Sequence, residues 1–333
     1  MKLICAPMAT LSHEPFRRAV EKFGGCDEYY TEMINASSLL NMGPFEKYYL
    51  LNGPVPEKIV WQLTGWDAQK IAAAVPVVLE NGGIGIDINM GCSAPQIFKT
   101  GAGIAWMTKP LSETEKCISL VKKEIEKCSA GQGRKYRLSV KCRLGAENFT
   151  EQTFFDFTDM LVENGVQQIA LHPRTMKEKY RGLPRYDWAE KLALRYENRI
   201  SVIVNGAVEN TATAEYVKSK VPHAAGIMIA RAAAVKPWIF RQISTSFFPQ
   251  PELQGLTVDR RQLALDFVRD VKDYQPPEFY RTRIQRFFGY YCQQFAFGHY
   301  FQSQLQNYRS LEDTEEKIRD YFAKQPHEIL LPL

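Results

Sequence analysis

The chain has 333 residues, 45% of them hydrophobic and 24% charged, with a formal net charge of +5 at pH 7. Those figures exclude a disordered or fibrous chain, and a charge of +5 is compatible with an anionic partner without arguing for one. Seven scattered cysteines with no CxxC pair exclude a disulfide scaffold, indicate no metal site and favour a reducing compartment. No apolar run reaches the length of a signal peptide or a membrane span, so a soluble, cytoplasmic protein is expected.

Strand and helix signals alternate along the chain. Leu3–Ala6 is a short apolar strand, followed by a helix that Ser12 caps, that places Phe16, Ala19, Val20 and Phe23 on one stripe, and that stops at Gly24-Gly25. Glu28–Met33, Ile59–Leu63 and Gly85–Asn89 are the second, third and fourth strands. Ser112 with Glu115 has the spacing of a capping box, ahead of the stripe Ile118, Val121 and Ile125. Leu138–Cys142 is the fifth strand, and the helix lined by Phe154, Phe157 and Leu161 ends at Asn164-Gly165. Gln168–Leu171, Ile200–Val204 and Gly226–Ala230 complete eight strands. Eight strands with helices between most of them predict an α/β fold, a (β/α)8 TIM barrel, over residues 1–243. Pro249, Pro251 and Gly255 mark 244–258 as a linker. Helical stripes at Leu263, Phe267, Val271 and Tyr274, and at Ile284, Phe287, Phe288, Tyr291 and Phe295, predict a small all-helical domain over 259–333.

Chemistry in such barrels sits where the strands end. Polar or small residues stand at nearly every expected strand end: Pro7, Met8 and Ala9, Glu32, Gln62, Asn89, Cys92, Lys141, Arg143, His172, Arg174, Asn205-Gly206 and Arg231. Cys92 lies in the loop Asn89-Met90-Gly91-Cys92-Ser93-Ala94-Pro95, where a thiol serves as nucleophile, proton donor or packing. Cys5, Cys26, Cys117, Cys128 and Cys292 read as small core hydrophobes. Strand register leaves the direction of Lys141 open, but a buried ammonium is costly without an anion and snorkelling is its bland alternative. Asn205-Gly206 and Ala230-Arg231 follow the last two strands, where these barrels bind phosphate groups, and His172 with Arg174 adds two donors for an anion. Between Glu278 and Glu312 there is no acidic residue, and Arg281, Arg283 and Arg286 stand among aromatics. The aromatics suit a helical core, and the arginines suit phosphate contacts of an RNA.

These residues carry a family resemblance. The segments Ala6-Pro7-Met8-Ala9, Thr31-Glu32-Met33, Gln62-Leu63, Asp87-Ile88-Asn89-Met90-Gly91-Cys92, Lys99–Gly103, Val140–Gly145, His172-Pro173-Arg174-Thr175 with Tyr180 and Asp187-Trp188, Asn205-Gly206 and Met228–Ala233 follow one another as in the tRNA-dihydrouridine synthases, which the chain resembles from residue 6 to residue 240. The resemblance implies an FMN-binding barrel followed by a helical tRNA-binding domain. It implies FMN contacts from Pro7, Met8, Ala9, Gln62, Lys141, His172, Asn205, Gly206, Ala207, Ala230 and Arg231. It further implies that NADPH, with NADH as an alternative donor, reduces FMN, that a flipped uridine takes a hydride at C6, and that Cys92 protonates C5. Asn89 would orient the base, and Arg143, Arg174, Arg281, Arg283 and Arg286 would contact the substrate. A monomer is the expectation. Ser93, Pro173, Ala207 and Ala230 depart from the family pattern; an alanine held at φ > 0 in place of Ala230's usual glycine would cost roughly 1 kcal/mol. Two other readings are an FMN barrel acting on a small molecule and a non-catalytic RNA-binding protein; absence of tRNA binding would favour the first and absence of flavin the second.

Overall fold

The computed structural model describes residues 1–147, 149–248 and 257–333. Eight parallel strands close into a barrel: β1 (Lys2–Cys5), β2 (Glu28–Tyr30), β3 (Ile59–Thr64), β4 (Gly85–Met90), β5 (Arg137–Arg143), β6 (Gln168–His172), β7 (Ser201–Asn205) and β8 (Gly226–Ile229). Pairing of Tyr29 with Ile59 and of Cys5 with Ile229 leaves no open edge among these eight, and a two-residue strand, Ile34–Asn35, also pairs with β3. All eight expected strands form, each within one to three residues of its expected ends.

Alternation along the strands separates two layers. Leu138, Val140 and Cys142 face the helices, as do Ile86, Ile88 and Met90. Ile4, Tyr30, Val60, Ala170, Ile203 and Met228 fill the barrel's interior. At its amino-terminal end Glu28 accepts two bonds from Arg137, at 2.6 and 2.9 Å, and one from Lys2 at 2.8 Å. A buried carboxylate with three charged donors belongs to the stability face of such a barrel.

Local sequence sets the helices. Asp67 caps Ala68–Leu79, while Thr150 with Thr153 and Asn210 with Thr213 form reciprocal caps on Glu151–Glu163 and Thr211–Lys220. Two expected caps do not form. Pro110 precedes Leu111–Gln132, so Ser112 lies inside the first turn and has no cap to make. Ser12 instead ties the loop after β1, donating to the Ala6 carbonyl at 2.8 Å and accepting the Met8 N–H at 2.9 Å. The expected linker at 244–258 is corrected at both ends: the helix Ile239–Phe247 runs through 244–247, and Thr257–Asp259 is a strand pairing antiparallel with Leu330–Pro332. Residues 249–256 lie outside the described residues.

Helices Arg260–Tyr274, Pro277–Tyr291, Gly298–Gln306 and Leu311–Lys324 follow. Their core is aromatic, with Phe267 stacked on Phe287 at 3.8 Å and Phe301 on Tyr321 at 4.1 Å between centroids. This region packs on the barrel's first helix, Glu14–Glu21, through the Lys22–Asp266 ion pair and Arg18 over the Tyr274 ring. Beneath them Arg283 donates to Glu32 at 2.9 Å, with both side chains almost fully buried. Arg283 is therefore a bond between barrel and helices, which corrects its expected contact with substrate.

His13 sits in the same seam against Phe267, buried, with neither ring nitrogen hydrogen-bonded. Burial, then the charges of Arg283 and Arg17, hold its pKa well below the ordinary value. The native state thus keeps His13 neutral while the unfolded chain takes up a proton below about pH 6.5. The stability contribution is full above that pH and is lost as pH falls. His13→Phe is expected to stabilise the protein by about 2 kcal/mol more at pH 5 than at pH 7. Urea titrations of both proteins at the two pH values check this, and the difference between proteins isolates His13 from the buried carboxyl groups.

Candidate functional site

The barrel's carboxyl-terminal mouth is built from inward-facing positions. Gln62 on β3, Asn89 on β4, Lys141 and Arg143 on β5, His172 on β6 and Asn205 on β7 share the inward parity of the interior residues. This settles Lys141: Ser139, Lys141 and Arg143 point inward, and Cys142 points outward into the helix layer. Asn89 is the register partner of Lys141, and Arg143 that of His172.

Cys92 occupies the loop that leaves β4, and it is half-buried. The Asn89 carboxamide oxygen accepts the N–H of Gly91 at 3.2 Å and of Cys92 at 2.9 Å. On the other side Ile104 N–H donates to the Cys92 carbonyl at 3.0 Å. Gly103 allows this approach: it adopts φ +61°, and a Cβ there would stand 2.5 Å from the Cys92 carbonyl oxygen. The loop therefore presents the thiol from a backbone fixed on both sides. Five of the other cysteines are buried, and Cys5, Cys117 and Cys142 have thiols pushed up to about 12, chiefly by burial. Cys128, half-buried on the helix Leu111–Gln132, packs against the edge of the core.

Positive charge gathers beside the Cys92 loop, on the neighbouring strand β5 and on β6 next to it. Lys141 makes no hydrogen bond or ion pair with any described residue, and burial, reinforced by Arg143, pushes its pKa down to about 8. A partly buried ammonium with no ion-pair partner among the described residues is a site for one. Arg174 donates to His172 Nε2 at 3.1 Å. Because arginine only donates, His172 carries its proton on Nδ1 and is neutral. Burial and the charges of Arg143, Lys141, Arg174 and Arg231 push its pKa down to about 2. Arg231 is exposed and lies over the Tyr180 ring at 4.8 Å.

Backbone shapes the same corner. Gly206 has φ +129°, and a Cβ there would lie 3.1 Å from His172 Cδ2 and 3.2 Å from Pro184. Asn205 is tied to β8 through the Met228 carbonyl at 2.9 Å. The strained alanine is Ala207, at φ +54°; Ala230 has φ −110° and needs no glycine. Pro7 and Met8 are half-buried and Ala9 is exposed in the loop after β1.

Several expected contacts have prior engagements. Arg143 clamps loops, donating to the carbonyls of Gly91, Thr175 and Lys179 at 3.1–3.3 Å. Arg174 also donates to Gly182, which leaves its Nε without a partner. Gln62 is fully buried, with its carboxamide bonded to Asp87 and Asn89. Arg281 and Arg286 are exposed on Pro277–Tyr291. Asp87 escaped sequence reasoning, although its position two residues before Asn89 places it on the inward face. The arrangement combines a fixed thiol, an unpaired ammonium, and a neutral histidine among cations, which suits proton delivery beside a bound anionic group.

Comparison with known proteins gives the family. The dihydrouridine synthase (Dus) family matches residues 4–326. A tRNA-dihydrouridine synthase B of Pectobacterium carotovorum is 26% identical, over 95% of this chain and 94% of its own length. One from Pseudomonas syringae pv. tomato is 29% identical over 78% of this chain and 73% of that protein. A probable tRNA-dihydrouridine synthase of Aquifex aeolicus is 32% identical over 72% of each. With a match spanning nearly the whole sequence, the chain belongs to the dihydrouridine synthase family.

Proposed function

We propose that this protein reduces the C5–C6 double bond of uridines in tRNA, with FMN reduced by NADPH as the hydride source and Cys92 as the proton donor. The observation that supports it most is a juxtaposition: Asn89, which fixes the backbone of Cys92, is the register partner of Lys141, the ammonium with no ion-pair partner among the described residues. Thiol and cation thus flank one opening.

The residues present fit a flavin mononucleotide. Lys141 would face the electron-rich edge of its ring system, and His172, Gly206, Ala207 and Arg231 would hold its phosphate, with Arg174 setting the tautomer of His172. Pro7, Met8, Ala9, Asn205 and Ala230 would border the ring and ribityl chain. Bound FMN would supply the hydride for uracil C6. The chain does the rest: Lys141 offsets negative charge, the mouth receives a base turned out of the RNA, and Cys92 gives its thiol proton to C5. Arg281 and Arg286 would meet tRNA phosphates. A monomer in the cytoplasm with NADPH as the preferred reductant completes the proposal.

Two outcomes follow. Gly206→Ala is expected to weaken flavin binding about tenfold or more, because its Cβ crowds His172 and its φ disfavours any side chain; fluorescence titration of the apoprotein with FMN measures it. Under anaerobic conditions tRNA lacking dihydrouridine should reoxidise the NADPH-reduced protein, and orotate and small enones should not. The reverse pattern would favour the small-molecule reading.

A further inference from the structure

A file of polar side chains runs up the barrel's interior to the Cys92 loop. Asp87 on β4 is fully buried and makes no ion pair among the described residues, although the charges of Lys141 and Arg137 act on it. Its carboxylate is held by neutral donors, Ser139 Oγ at 2.8 Å and Gln62 Nε2 at 2.7 Å. Such a carboxylate costs stability that an apolar side chain would not. Burial pushes its pKa up to about 6, so the ionised, acceptor-only form still prevails at neutral pH.

An acceptor-only group dictates what lies above it. Gln62 has to turn its NH2 to Asp87, which turns its Oε1 toward Asn89. Asn89 Nδ2 donates to that oxygen at 2.9 Å. Asn89 Oδ1 is thereby turned to the loop, where it accepts the N–H groups of Gly91 and Cys92. Each carboxamide is two-fold ambiguous alone, and the file removes both ambiguities in one direction.

We propose that Asp87 is a positioning residue, which fixes the backbone of Gly91 and Cys92 through Gln62 and Asn89 and so aims the thiol. The proposal rests on the reading of Cys92 as proton donor only for its effect on rate; its effect on the loop stands apart. Asparagine at 87 preserves the file, since its Oδ1 accepts from Gln62 while its Nδ2 donates to Ser139 Oγ, whose own proton has the Ile86 carbonyl at 3.2 Å. Alanine does not.

The test compares flavin-loaded wild type, Asp87→Ala and Asp87→Asn by amide hydrogen exchange and by steady-state kinetics on tRNA lacking dihydrouridine. In Asp87→Ala, exchange at Gly91 and Cys92 should quicken at least tenfold while strand β7 stays unchanged, and kcat should fall at least tenfold with KM for tRNA within about threefold. Asp87→Asn should restore both to within about threefold of wild type. Unchanged exchange at Gly91 and Cys92 in a folded Asp87→Ala protein overturns the proposal, as does failure of Asp87→Asn to rescue. Should Asp87→Ala not fold, Gln62→Met breaks the same file one step higher and carries the same expectation. A wild type that forms no dihydrouridine would overturn the proposed function and leave the exchange result to decide the positioning role.

Discussion

Cys92→Ala is expected to slow dihydrouridine formation by about 10²- to 10⁴-fold, the usual contribution of a placed general acid. Flavin content and thermal stability should change little, because the Cys92 loop is held by backbone groups rather than by the thiol. No other cysteine can stand in. Cys142 is adjacent to Lys141 in sequence but faces the helix layer, and its buried thiol is pushed up to about 12. The check is single-turnover reduction of tRNA by the prereduced protein, with nucleoside mass spectrometry as the readout. A variant that keeps its flavin and reacts at the wild-type rate would remove Cys92 from the chemistry.

The second large effect is structural. Arg283→Ala should destabilise the protein by about 3–5 kcal/mol, because it strands a buried carboxylate. Glu32 would keep only the Thr10 N–H at 2.5 Å, and burial already raises its pKa. Replacing both partners, Arg283→Met with Glu32→Leu, should recover most of the loss, as buried pairs often exchange for apolar ones at little cost. Urea unfolding of the three proteins measures both. Arg283 should also leave the salt dependence of tRNA binding unaltered, whereas Arg281→Ala and Arg286→Ala should each lower its slope by about one ion.

Why the sequence revealed some of this and hid the rest is visible in particular residues. Strands buried on both faces stand out as apolar runs, so all eight were legible, and polar groups where those runs end marked Gln62, Asn89, Lys141, His172 and Asn205. The direction of Lys141 needed register, which only the pairing of β5 with its neighbours supplies. Arg281, Arg283 and Arg286 read alike in one helix; the partner that distinguishes Arg283 lies 251 residues away. The Ser112–Glu115 spacing was sound as a pattern, but Pro110 had already begun the helix. Ala230 attracted the strain argument because a glycine was expected there, while the left-handed residue is Ala207, a conformation no composition rule predicts.

The measurement that bears most directly on the central claim is the dihydrouridine content of tRNA lacking the modification, after incubation with the purified wild-type protein, FMN and NADPH. Dihydrouridine at discrete positions, dependent on both cofactors, is the predicted result. A flavin-loaded protein that forms none on any tRNA of its native host would contradict it.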